Sequence, residues 1–170
     1  TIVLAEIILR IVTPNWSDFS SRRFMQIHPV PGFGDVVAGV PRFDGYFAQN
    51  NGDFRVRIQI NEFGLRNTQP IESSHNSIWI IGDSMAFGWG VKMEEMYSSV
   101  IGRKLNRPTY NIASPGTDVC GYQALLARMP SGAIPKAVVL GLILENDVAS
   151  YDCKATAEQK RSIIPKETAN

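Results

Sequence analysis

Histidine is scarce in this sequence: His28 and His75 are the only two in 170 residues. Neither sits in an HxxxH spacing, and the two cysteines, Cys120 and Cys153, form no CxxC pair. A protein zinc site needs such ligands grouped at short intervals, so no metal is expected. Charge of one sign is equally scarce. Lys and Arg number 17 against 16 Asp and Glu, a balance of +1. Arg22-Arg23 and Lys160-Arg161 are isolated basic pairs without interleaved aromatics, so nucleic acid is not an expected partner. No long hydrophobic run is present. The apolar start, residues 1–12 (TIVLAEIILRIV), is broken by Glu6 and Arg10 and falls short of the roughly 20 apolar residues that span a bilayer. The stretch GDSMAFGWG at 82–90 is neither GxGxxG nor GxSxG, and it lacks the GK pair of a phosphate loop. Nucleotide binding and the α/β-hydrolase elbow are therefore set aside, and no cofactor is implied. The cysteines allow one disulfide or two free thiols, and spacing does not choose between them.

What remains is ordered by hydropathy. Residues 1–14 read as a short amphipathic helix stopped by Pro14, or as the end of a signal or membrane anchor. Nothing polar caps the start, which favours the anchor. Residues 15–76 are expected to form an irregular and β-rich extension, of which 15–51 wraps a core rather than forming one. Turn signals recur there, and Asn51-Gly52 predicts a tight hairpin. Within 53–60, Phe54, Val56, Ile58 and Ile60 alternate with Arg55, Arg57 and Gln59, the pattern of a half-buried strand. Residues 61–67 (NEFGLRN) read as a turn around Gly64, and 68–76 as a polar linker. From 77 the pattern changes to that of a separate α/β domain, 77–170. IWII at 78–81 and AVVLGLIL at 137–144 are continuous apolar runs, expected to be strands covered on both faces. Helices are predicted over 94–105 and 122–129, and a short strand over 109–112. Strand alternating with helix predicts a parallel sheet.

In such sheets ligands bind beyond the carboxyl ends of the strands. The three strand ends carry Gly82-Asp83-Ser84, the 111–116 turn, and Asn146-Asp147. Ser84, in a turn between a buried strand and a helix, reads as a helix cap, a nucleophile or part of an anion site. A nucleophile would need N–H donors for the developing oxyanion. Gly116 lets backbone approach a substrate closely, or is an ordinary turn glycine. Asn146 is an amide donor or a turn former. Asp147 reads as a cap or a loop-fixing carboxylate.

Taken in order, these blocks resemble the SGNH/GDSL hydrolases. Residues 80–84 (IIGDS) resemble the first block of that family, 111–116 (NIASPG) the second, and 138–141 (VVLG) leading to Asn146-Asp147 the third. Leu144 and Glu145 stand where the family has Gly and a variable residue, which alters the loop before Asn146. Residues 61–66 (NEFGLR) resemble a segment that precedes the first block in membrane-anchored or exported members. The resemblance covers about half of the chain. It implies a flavodoxin-like three-layer α/β/α sandwich with a parallel sheet, C-terminally incomplete. It also implies an acyl-enzyme mechanism. Ser84 would attack an ester carbonyl, and the oxyanion would be held by the Ser84 and Gly116 N–H groups and the Asn146 side chain.

The family places an Asp-x-x-His block after the third block, and no histidine follows Asn146. The expectation is the front part of a longer hydrolase, with little turnover by this stretch alone. The expected substrate is a small acyl ester or acylated carbohydrate outside the cytoplasm, with anchoring through the N-terminus. An O-acyltransferase on an exported polysaccharide and a non-catalytic ligand-binding module are the alternatives.

Overall fold

The computed structural model describes residues 2–12, 15–49, 53–147 and 153. The first helix, α1 (Ile2–Val12), is apolar almost all round, and none of its side chains is buried. Glu6 and Arg10 pair along one face at 2.8 Å. Among the described residues no helix is long and apolar enough to cross a membrane. Pro14, expected to end this helix, lies outside the described residues.

Two antiparallel pairs follow. β1 (Met25–Val30) pairs with β2 (Gly34–Gly39), Ile27 opposite Val37. β3 (Asp44–Ala48) pairs with β4 (Arg55–Gln59), Tyr46 opposite Arg57. The period-two pattern of the sequence is visible in β4: Val56 and Ile58 are buried, Arg55 and Arg57 exposed. The turn expected at Asn51-Gly52 lies outside the described residues.

The remaining strands form a mixed α/β unit. β5 (Ile78–Ile81) is the centre of a three-stranded parallel sheet in the order β6-β5-β7, with β6 at Thr109–Asn111 and β7 at Ala137–Leu140. Between them run the one-turn helix α2 (Ser84–Phe87), α3 (Tyr97–Leu105) and α4 (Val119–Ala127); α5 (Leu144–Asp147) follows β7. Successive side chains of a strand point to opposite faces, and β5 uses both. Trp79 and Ile81 join Val36, Tyr110, Tyr122 and Leu125 in one apolar cluster. Ile78 and Ile80 join Phe24, Phe47, Ile58 and Phe87 in the other.

These clusters correct several expectations. Residues 15–51 do not merely wrap a core. β1 and β2 supply one cluster, and β3 and β4 the other. The stretch read as a polar linker, 68–76, contains a 3-10 turn, Ile71–Ser74. The buried Ser74 carbonyl there accepts the Trp79 indole N–H at 2.8 Å and the Ser77 hydroxyl at 2.7 Å. β7 was expected to be covered on both faces, yet all four of its residues are exposed. Among the described residues it is an edge strand, and nothing packs over it as the β1–β2 and β3–β4 pairs pack over β5.

Residues 61–67 are no simple turn either. Asn61, Arg66 and Asn67 are all buried, so their polar atoms must find partners inside the fold. The Asn61 amide donates to the Tyr110 hydroxyl at 2.6 Å and to the Gln69 carbonyl at 3.1 Å, and its Oδ1 accepts from the N–H groups of Phe63 and Leu65. Asn67 donates to the Asn111 carbonyl at 2.8 Å and accepts the Asn111 N–H at 3.0 Å, pairing with β6 as a neighbouring strand would.

His28 offers a test of this packing. Its Nε2 lies 3.1 Å from the Gly39 carbonyl and its Nδ1 lies 3.4 Å from the Arg128 guanidinium. Burial, and then the Arg128 charge, hold its pKa below the ordinary value. The unfolded chain therefore binds a proton here at higher pH than the folded one, so stability is lost as pH falls through about 6.5. The thermal midpoint should drop between about pH 7.5 and about pH 5.5, and drop less in His28→Gln, where no charge can form. Equal slopes for the two proteins in a melt series would contradict this.

Candidate active site at the carboxyl edge of the sheet

Parallel pairing brings the ends of β5, β6 and β7 to one edge, with β5 in the middle. Backbone hydrogen bonds continue past the strands. The Ile112 N–H reaches the Ile80 carbonyl at 2.8 Å, the Ser114 N–H reaches Gly82 at 3.1 Å, and the Gly141 N–H reaches Ile81 at 2.8 Å. Gly82 is the point of closest approach. A Cβ there would lie 2.7 Å from the Ala86 Cβ and 2.9 Å from the Gly141 carbonyl oxygen. Both distances are below contact, so the turn after β5 can meet α2 and the end of β7 together only with glycine at 82.

Ser84 is the first residue of α2 and is half-buried. It does not cap the helix. The cap is Asp83, itself buried, whose carboxylate accepts the Met85 N–H at 2.9 Å. Asp83 thereby takes over the task that serine often performs at such a position, and among the described residues the Ser84 hydroxyl has no hydrogen-bond partner. The Ser84 N–H, one of the first-turn donors that a helix leaves unpaired, likewise has no acceptor there. With a single turn, α2 has little dipole to offer. What it presents to an anion is the N–H itself.

Gly116 sits on the neighbouring loop. It is exposed, its φ is +68°, and a Cβ at this position would meet nothing within 4 Å. The Thr117 hydroxyl closes the Ser114-Pro115-Gly116-Thr117 turn on the Ser114 carbonyl at 2.6 Å and reaches the Gly82 carbonyl at 3.5 Å. The loop that carries Gly116 is thus tied to the residue two before Ser84. Among the described residues the Gly116 N–H has no acceptor.

Asn146 lies in α5, beyond β7 and on the same edge. Its side chain is outside the described residues. Its neighbour Asp147 is fully buried and fixes the loop: Oδ2 accepts the Ile143 N–H at 2.6 Å. The buried Tyr122 hydroxyl has no hydrogen-bond partner among the described residues, but it feels the charge of the same carboxylate. Burial, and then that carboxylate, push the Tyr122 pKa upward, so the phenol keeps its proton. Cys120 of α4 is bonded to Cys153, with 5.1 Å between the Cα atoms, which resolves the open choice between disulfide and free thiols. The bridge ties the chain beyond Asp147 to α4, whose cap Asp118 accepts the Gly121 N–H at 2.9 Å.

Neither histidine lies at Ser84. His75 precedes β5, so it stands at the opposite end of the strand, beside Gly132 and Ile134. His28 is held between Gly39 and Arg128. Among the described residues no group of His, Cys, Asp and Glu is arranged to hold a metal ion. A hollow of about 220 Å³ lined by Arg107, Lys136 and Asn76 opens at the amino edge, at the other end of β5 from Ser84. Sequence reasoning missed Asp83 as the cap, and Arg66 and Asn67 as buried supports. The signal available was the density of polar residues in NEFGLRN between two apolar strands.

No family model, no curated protein and no solved structure matches this chain.

The disulfide joins positions 33 residues apart, a closure that contributes about 3–4 kcal/mol in the chain-entropy treatment. Reduction, or Cys153→Ser, should lower the urea midpoint by a corresponding amount. An unchanged midpoint after reduction, with both thiols shown to be free, would mean that the bridge does not hold this edge together.

Proposed function

We propose that the chain carries the nucleophile and oxyanion part of a serine ester hydrolase of the SGNH/GDSL type, on a flavodoxin-like three-layer α/β/α sandwich. One observation carries the reading. Ser84 follows the central strand with its hydroxyl and N–H both unpartnered among the described residues, and the adjoining loop offers a second free N–H at Gly116.

In the proposed reaction the Ser84 Oγ attacks an ester carbonyl carbon and its proton passes to a general base. The former carbonyl oxygen becomes an oxyanion, held by the N–H groups of Ser84 and Gly116 and by the Asn146 amide. Collapse expels the alcohol, which takes up the proton, and leaves an acyl-Ser84. Water then attacks the acyl carbon and gives a proton to the base; the bond from that carbon to Oγ breaks, Oγ takes the proton back, and the carboxylic acid leaves. Serine attacks poorly without a base, and neither His28 nor His75 is that base. Substrates are acetyl or other small acyl esters of carbohydrate or lipid. With a sugar hydroxyl in place of water, the same steps give an O-acyltransferase. The Cys120–Cys153 disulfide supports an extracytoplasmic setting, and the exposed apolar α1 supports anchoring through the N-terminus.

A second reading, a ligand-binding module without a base, is favoured by the distance of both histidines from Ser84. A serine-reactive phosphonate separates the two. In protein that includes the general base, the hydrolase reading expects labelling that is abolished in Ser84→Ala and slowed in Asn146→Ala by about 10²–10³, the usual cost of one oxyanion donor. Labelling that persists in Ser84→Ala removes the assignment. Absence of labelling, together with calorimetric binding of an acetylated sugar, moves the conclusion to the binding module.

A further inference from the structure

Arg66 is a cation with no exposed surface. Burial lowers its pKa from 12.5 to about 10, and among the described residues no carboxylate balances it. A buried charge without a counterion is retained only where hydrogen bonds replace water, and here every acceptor is a backbone carbonyl. Nη1 donates to Phe87 at 3.3 Å and to Gly88 at 2.5 Å; Nη2 donates to Val91 at 2.8 Å and to Arg57 at 3.4 Å. The guanidinium also lies 5.2 Å from the Phe87 ring centroid.

Three of the four carbonyls belong to the stretch just after Ser84. α2 is a single turn, too short to persist without outside contacts. Its start is closed by Asp83. Its end is closed by Gly88 in the left-handed conformation, with the Gly88 and Trp89 N–H groups both folded back on the Ser84 carbonyl at 3.1 and 2.9 Å. A helix end leaves its last carbonyls short of internal partners; here the Gly88 carbonyl accepts the Val91 N–H at 3.2 Å and has room for a second donor. Arg66 takes the Phe87 and Gly88 carbonyls and reaches on to Val91. Only a planar fork with several donors meets acceptors spread this way; an ammonium is a point donor on a flexible stem.

We propose that Arg66 is a positioning residue for the Ser84 nucleophile, acting through the backbone of Phe87, Gly88 and Val91 that it clamps. The inference rests on the nucleophile reading of Ser84. Arg66 touches no reacting atom. It holds the turn whose displacement by about 1 Å would cost on the order of 10² in rate.

The test uses Arg66→Met, which keeps much of the volume and removes all donors, and Arg66→Lys, which keeps the charge but not the fork. Amide exchange is measured across 84–91 together with saturation kinetics of phosphonate labelling. Arg66→Met should stay folded, with exchange in 84–91 faster by roughly tenfold to a hundredfold, the range expected on losing charge-assisted hydrogen bonds. Its maximal labelling rate should fall about 100-fold at an unchanged half-saturating concentration, and Arg66→Lys should recover part of that loss. Wild-type exchange and wild-type labelling in Arg66→Met would overturn the inference. So would loss of cooperative unfolding in both variants, which would make Arg66 a general folding residue. Wild-type protein that includes the general base and still resists labelling would instead remove the nucleophile reading, and the exchange data alone would then decide whether Arg66 holds the turn.

Discussion

Both ends of the Asn67 amide are bound to the backbone of Asn111, 44 residues further along the chain. β6 has β5 on one side only, so its outer N–H and carbonyl would otherwise be buried without partners, at a cost comparable to a lost hydrogen bond for each. A side-chain amide satisfies them as a neighbouring strand would. The connection does not stop there. The Asn111 side chain donates to the Ala86 carbonyl at 3.2 Å and accepts the Ala113 N–H at 2.9 Å. One relay of amides therefore runs from the 61–67 segment through the edge strand to the helix that begins at Ser84 and to the loop that leads to Gly116.

Arg66 and Asn61 extend the same principle. Arg66 buries its donors against backbone carbonyls, Asn61 reaches the distant Tyr110 hydroxyl, and together they join β4, α2 and β6. Buried polar networks specify one arrangement strongly because a half-satisfied network is costly in a low-dielectric interior. The apolar clusters on either side of β5 contribute most of the general stability. They do not choose which carbonyl faces which donor; the buried polar groups make that choice.

The opposite flank of the sheet is built differently. β7 is exposed, and the loop beyond it is held by a buried carboxylate at Asp147 and by the Cys120–Cys153 bridge. Ser84 thus lies between a flank fixed by a buried amide relay and a flank fixed by a carboxylate and a covalent link.

Much of this was legible locally. Alternation at 53–60 predicts β4, the IWII run predicts a strand buried on both faces, and chain order alone brings Gly82-Asp83-Ser84 to its carboxyl end, because strand periodicity and turn preference depend on near neighbours. The strand order β6-β5-β7, and the sharing of both clusters between residues before and after 77, were not legible, since they depend on contacts across the chain. Nor could spacing decide that Asp83 caps α2 and leaves the Ser84 hydroxyl free, or that Cys120 meets Cys153. Sequence by itself determined which residue types stand at the strand ends. Only the tertiary structure decided what each buried polar atom binds, because a hydrogen bond to a distant backbone carbonyl leaves no periodic trace in the sequence that makes it.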